Sequence, residues 1–453
     1  MHLVQAYPWT LFFVGYAILV VAMVVFRHTA RLLPIVLCLH PLGYLLADKQ
    51  GNTPQWGGAA FAFLALAWLL SGRWLAWAPP SDRLLRWVGL FVAWSAVSLL
   101  VNRNWETGLP ALAKLVVTMS AFVICQAEGF RLRRLLLPLS VTGAIIGVDL
   151  VASDLLGGRV GAPFGFSGHL RASVNMLAIV EVVVVAAWLP FLRTQTGARR
   201  VAVQALILLA ILGIIAGASR QAAFSLCVVL LLWAVRRPDL HRRIALSLGA
   251  AALLLAFGVS TFALAERFHS LFDQAGSSAV VDISAYNRPA VMGMGVELFL
   301  DHPLTGVGPG ACSSHLHGYA APEMFEWRRL TAAPDLRFIS PHCLYLRVAD
   351  EAGLPGLALI LGIFGTIAWR AARGFRRASP TGEDMGILLV LVPLFVSALV
   401  GDWQFHSPVL WGFLGMASAA FRAEGRRAPA GMAGPTGDEG LPAVSAPDPV
   451  EVS

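Results

Sequence analysis

Long apolar runs separated by short arginine clusters set the pattern of this chain. The runs cover 9–26, 31–47, 57–71, 84–101, 109–127, 135–152, 174–192, 201–217, 221–235, 244–264, 353–369, 386–400 and 407–421. As helices, each is long enough, or nearly so, to cross a hydrocarbon layer of about 30 Å. Threading them in alternation brings Arg83/Arg86, Arg131/Arg133/Arg134, Arg193/Arg199/Arg200, Arg236/Arg237/Arg242/Arg243, Arg370/Arg373/Arg376/Arg377 and Arg422/Arg426/Arg427 to one side. The positive-inside rule makes that side cytoplasmic. If one of the first three runs fails to cross, twelve spans remain and both termini lie inside. The pattern therefore predicts an all-α polytopic membrane protein of about 12 transmembrane helices.

The same threading puts 153–173, 218–220, 265–352 and 401–406 on the outer side. The stretch from Ala265 to Ala352 is too long and too polar for a plain connector. It carries six Arg and ten Asp or Glu, so it lacks the basic excess of the other face. Within it, Pro289 to Leu300 predicts a short helix, with Pro289 suited to the first turn. The chain thus divides into a transmembrane bundle at 1–264, an outer helical loop at 265–352, further spans at 353–421 and a tail at 422–453. That tail, rich in Ala, Gly, Pro and acidic residues, has no apolar face to bury and is expected to be disordered.

Composition agrees with the pattern: 57% of residues are hydrophobic, 13% are charged, and the mean hydropathy is +0.70. The net charge of +8 does not indicate nucleic-acid binding, because most of it sits at the ends of apolar runs. Of the 34 basic residues only Lys49 and Lys114 are lysines. Guanidinium groups suit phosphate, which they grip with two parallel hydrogen bonds. Cys38, Cys125 and Cys227 lie in apolar runs and are expected to act as small hydrophobes. Cys312 and Cys343 share the outer loop, where a disulfide is one option and two free thiols the other.

The sequence contains no GxxxxGK[ST] loop, HExxH, CxxC or DxD, so nothing visible supports ATP hydrolysis, a bound metal or another cofactor. Gly306, Gly308 and Gly310 form a GxGxG, better read as a tight turn than as a nucleotide loop. Three positions stand out. Arg220 lies between two apolar runs, where it either snorkels to lipid headgroups or faces an anion. Arg288 directly precedes the candidate loop helix, and His342 lies about ten residues before a span; each is either a solvated loop residue or part of a site. In the outer loop at 153–173, Arg159, Arg171 and His169 either bind phosphate or sugar or anchor the interface. Trp403, Gln404 and His406 in the last outer loop divide the same way. His315 and His317 are at most an adventitious metal pair, and Arg347 with Glu351 has the i,i+4 spacing of a helical ion pair bracing the approach to His342.

Taken together, DHPLTGVGPG at 301–310 and PHCLYLRVADEAGLPG at 341–356 resemble the signature of the O-antigen ligase and polymerase superfamily of bacterial membrane glycosyltransferases. In the ligases of that superfamily a His and a small polar residue are followed by nine variable positions and then GxxG. His342, Cys343, Gly353 and Gly356 fit that spacing, with Cys343 standing where Asn, Ser or Gln is usual. Ser219 to Gln221 (SRQ) and Asn287 to Ala290 (NRPA) resemble the two arginine positions of the group. The resemblance spans roughly residues 200–360.

The resemblance implies a glycan donor on undecaprenyl pyrophosphate, a glycolipid acceptor and a periplasmic site in the bacterial inner membrane. Arg220 and Arg288 would stabilise the leaving pyrophosphate, and His342 would take the proton of the attacking hydroxyl. Transfer to the lipid A core is the preferred assignment; O-antigen polymerisation and transfer to protein are its rivals. A lipid-linked sugar flippase is the non-enzymatic alternative. It predicts charges spread through the spans, whereas the runs between 174 and 264 carry only Glu181 as an internal acid.

Overall fold

The computed structural model of the chain describes residues 29–42, 56–72, 75, 82–155, 171–217, 219–236, 244, 249, 283–320, 340–379, 382–401 and 407–426. Its helices in chain order are α1 (Thr29–Leu39), α2 (Trp56–Leu70), α3 (Arg83–Asn102), α4 (Trp105–Ala127), α5 (Leu136–Leu155), α6 (Arg171–Trp188) and α7 (Gly197–Ala216). They continue with α8 (Arg220–Val235), α9 (Ile283–Asp301), α10 (Cys312–Leu316), α11 (Leu344–Arg377), α12 (Glu383–Val400) and α13 (Pro408–Arg426). No strand occurs among the described residues. This helical architecture suits a bilayer, because a helix satisfies its backbone donors and acceptors within itself.

Among the described residues five segments are long and apolar enough to cross a membrane: Arg83–Asn102, Trp105–Ala127, Asn175–Thr194, Gly197–Ala216 and Leu344–Arg376. Shorter apolar helices accompany them, among them Leu136–Ala152, Gln221–Val235 and Pro408–Phe421. The run at 9–26 and nearly all of that at 244–264 lie outside the described residues.

Helix α6 is the hub. It packs against α5, α7, α8 and α12, and its valines and alanines from Val182 to Ala187 are buried. Helix α7 instead leaves Leu208, Leu212 and Ile215 exposed, as a lipid-facing helix does. Around this centre α13 lies along α4, and α11 along α3.

The α3–α11 pair is tied at one end by Asp82. Its carboxylate caps α3 by accepting from the Leu84 amide at 3.1 Å. It also accepts two hydrogen bonds from Arg370 of α11, at 2.7 and 3.3 Å, and one from Ser418 of α13 at 2.8 Å. Burial alone would raise the carboxyl's pKa. The hydrogen bonds from Arg370, Ser418 and Leu84, together with the Arg370 charge, outweigh burial and hold it below the usual carboxylate range.

Two elements differ from their sequence expectations. Helix α9 starts at Ile283 and not at Pro289, so Pro289 lies inside the helix. A proline forfeits one backbone bond, and the helix continues through that loss. Helix α11 begins at Leu344, nine residues before the apolar run at 353, and bends at Gly353.

Candidate functional site

The segments 301–310 and 341–356 fold onto each other, and the bend in α11 is the reason. Gly353 has φ 65° and ψ −167°, a conformation essentially reserved for glycine. The bend strips the carbonyls of Asp350 and Ala352 of their helical partners, and Pro355 has no amide to offer Glu351, so other groups must replace them. Val307 donates its amide to the Asp350 carbonyl at 2.8 Å, and Gly308 donates to Glu351 at 3.1 Å. The Ser98 hydroxyl also donates to Glu351 at 2.9 Å, and the Trp94 indole N–H donates to Ala352 at 2.7 Å. In return, the Leu354 amide donates to the Pro303 carbonyl at 2.7 Å.

This clasp accounts for two glycines of the signature. A Cβ on Gly353 would overlap the Leu304 carbonyl, and one on Gly306 (φ 63°) would overlap the backbone of Asp350 and Glu351. Gly306, Gly308 and Gly310 all have positive φ, in agreement with a tight turn. The turn rests on the start of α4, where Gly310 meets Ala111 and Thr107.

His342 immediately precedes the N-cap residue of α11 and is partly exposed. Its φ is 53°, a left-handed conformation uncommon outside glycine, and its amide donates to the Ser340 hydroxyl at 3.3 Å. Cys343 is the N-cap residue of α11 and makes no side-chain capping bond. Asn or Ser at this position would cap the helix, which gives the Cys343 departure a physical meaning.

Behind the clasp, Asp350 is completely buried. Its Oδ2 accepts the Cys312 thiol at 3.4 Å and lies where Gly295 of α9 leaves room, while Oδ1 has no partner among the described residues. Burial first, then the charges of Asp350 and Glu351, push the Cys312 thiol well above its ordinary range. Cys312 and Cys343 are free, so of the two sequence options the structure has the thiols. Arg347 and Glu351 form the expected i,i+4 pair, with Nε to Oε1 at 3.1 Å. On the outer flank of α9, the Tyr319 hydroxyl donates to Asp301 at 2.6 Å, and that bond pushes the phenol up to about 12.

Arg220 is the first residue of α8, whose N-cap Ser219 accepts from the Ala222 amide at 3.3 Å. Arg288 lies in α9, which packs on α11, and Arg171 opens α6. The side chains of these three arginines lie outside the described residues, as do the whole of Arg159, His169, Trp403, Gln404 and His406. His302 and His315 meet edge to face at 6.4 Å. Sequence inspection missed Trp94 and Ser98. Their one signal is two hydrogen-bonding side chains at i,i+4 on a helix that also carries Trp87 and Ser95.

No curated protein matches the chain. Residues 205–361, which include Arg220, Arg288, the 301–310 and 341–356 segments and His342, match the family model described as O-antigen ligase. That family supports glycosyltransferase activity of the ligase or polymerase type and, with the apolar helices, a multi-pass membrane protein. Over this third or so of the chain, the match supports a likeness to the O-antigen ligase/polymerase superfamily.

Proposed function

We propose that this protein is an O-antigen ligase of the bacterial inner membrane, moving polysaccharide from undecaprenyl pyrophosphate to the lipid A core on the periplasmic side. About twelve spans with both termini in the cytoplasm place the clasp and His342 outside. The acceptor hydroxyl attacks the anomeric carbon of the donor from the face opposite the pyrophosphate. A new carbon–oxygen bond forms as the bond to the pyrophosphate oxygen breaks, and the anomeric configuration inverts. His342 takes the hydroxyl proton. Arg220 and Arg288 stabilise the charge that develops on the departing pyrophosphate, with Arg171 and Arg159 as further anion contacts. The energy comes from the activated donor, so the reaction needs no nucleotide.

One observation carries this reading: the stretch matching the family model contains both signature segments, and they are joined through the bend that follows His342. Purified protein with a defined lipid-linked glycan and core glycolipid, without ATP and with chelator, tests it. Transfer to the core is the expected result. Elongation of the donor glycan would reassign the protein as a polymerase, and no transfer of either kind would overturn the reading. The His342→Ala variant is expected to lose at least about a hundredfold in rate. Arg220→Ala and Arg288→Ala are expected to lose comparably by the loss of charge stabilisation.

A further inference from the structure

Three separate parts of the 283–320 segment fasten to Asp350 of α11. Its backbone carbonyl accepts from Val307 of the glycine turn at 2.8 Å. Its Oδ2 accepts from the Cys312 thiol of α10 at 3.4 Å. The same oxygen lies against Gly295 of α9, where a Cβ would come within 3.2 Å of Oδ2 and 2.8 Å of Leu346 Cδ2. Gly295 sits within a helix and has no positive φ, so the close approach of α9 to α11 is what uses its missing side chain.

These contacts decide which ends of the two helices meet. Gly295 stands against Leu346 and Asp350, and further along Pro303 accepts from the Leu354 amide at 2.7 Å. Both segments advance toward higher numbers between the two contacts, so α9 runs parallel to the head of α11. The start of α9 therefore lies at the same end of the pair as the start of α11. Arg288 precedes Gly295 by seven residues, almost two turns or roughly 10 Å, which puts position 288 on the face of α9 that bears the glycine. His342 precedes Leu346 by four residues.

We propose that Asp350 is a positioning residue: with Gly295 and Cys312 it fixes the register of α9 on α11, and so holds Arg288 level with His342. Its side chain is completely buried, and an apolar residue of similar volume would fill the place without desolvating a carboxyl. What the carboxyl adds is direction, since it meets one thiol and one gap in a helix. The chemistry served rests on the proposed transfer, in which Arg288 meets the leaving pyrophosphate while His342 takes the proton. A misplacement of about 1 Å between two such groups costs on the order of a hundredfold in rate.

Two measurements on the full chain in mild detergent keep register and chemistry apart. The first joins Arg288→Cys to His342→Cys, in a Cys343→Ser background, with a short bismaleimide and locates the crosslink by peptide mass. An intramolecular crosslink between the two positions is expected, and adding Asp350→Leu is expected to lower its yield about tenfold as other registers become populated. The second is steady-state transfer in the otherwise unaltered chain. Asp350→Leu is expected to lower kcat at least about tenfold with little change in KM for the lipid-linked donor. Asp350→Asn, which still offers an oxygen to Cys312, is expected to restore both crosslink and rate. If Asp350→Leu does not stay monodisperse, Gly295→Ala takes its place, because its methyl presses on Leu346 and Oδ2 and leaves the carboxyl intact. No crosslink in the Arg288→Cys/His342→Cys pair, or an undiminished one after Asp350→Leu or Gly295→Ala, would overturn the proposal. An absence of transfer by the parent protein would instead defeat the proposed function, and the crosslink would still decide the register.

Discussion

The indole of Trp94 donates to the carbonyl of Ala352 at 2.7 Å, across 258 positions of sequence. The bend at Gly353 frees that carbonyl, and the indole is its substitute for a helical amide. Replacing Trp94 with Phe keeps most of the ring and removes the donor. Expected is a loss of about 1–3 kcal/mol of stability, because the carbonyl is left unsatisfied in a dry setting. Thermal unfolding in detergent measures it.

Gly353→Ala meets two obstacles together: a backbone conformation that alanine resists and a methyl overlapping the Leu304 carbonyl. A cost of roughly 3 kcal/mol or more is expected. Protease sensitivity of the 303–311 segment is expected to rise as the clasp opens, and limited proteolysis with mass mapping reads this out.

Cys343→Ser or Cys343→Asn supplies the hydroxyl or amide oxygen that the α11 N-cap lacks. A gain of about 1 kcal/mol in stability is expected, with Cys343→Ala giving no gain. Denaturant titration of the three variants separates capping from simple loss of the thiol.

Asp82 supplies a pH signature. Its folded carboxyl is held below the ordinary value, so the stability it contributes is complete above about pH 4 and is lost as pH falls through the lower, folded value. Asp82→Asn is expected to cost about 2 kcal/mol near neutrality, less than a fully enclosed pair because Arg370 is partly exposed. The variant's unfolding midpoint is expected to vary less with pH below 4 than the parent's.

Alkylation without reductant, after unfolding, is expected to modify all five cysteines. In the folded protein Cys312 is expected to label last in the outer loop, since its thiol is buried and resists deprotonation. A pair of unmodified cysteines in the unfolded chain would reveal the disulfide.

Hydropathy made the five long apolar helices legible because lipid favours apolar side chains along a span. The same measure passed over 344–352, whose Arg347, Asp350 and Glu351 lower the average. That segment is helical because Glu351 pairs locally with Arg347 and its freed carbonyls are met by Val307, Gly308, Ser98 and Trp94. None of those partners is close in sequence. The glycines at 306, 308 and 310 announced a turn, but not the backbone it would lie against, since positive φ is local and contact is not. Pro289 was misleading for a related reason: its preference for a first turn is only a local tendency, and α9 extends past it. The free state of Cys312 depended on which way the loop folded, a fact no cysteine spacing encodes.

Helices α3 and α11 are riveted twice, by Asp82 with Arg370 near one end and by Ser98 and Trp94 with the 351–352 backbone near the other. The fastenings stand roughly 24 Å apart along α3. Two rods pinned at both ends can neither slide past one another nor pivot about a single joint. The head of α11, which begins two residues after His342, is therefore held in fixed register against α3.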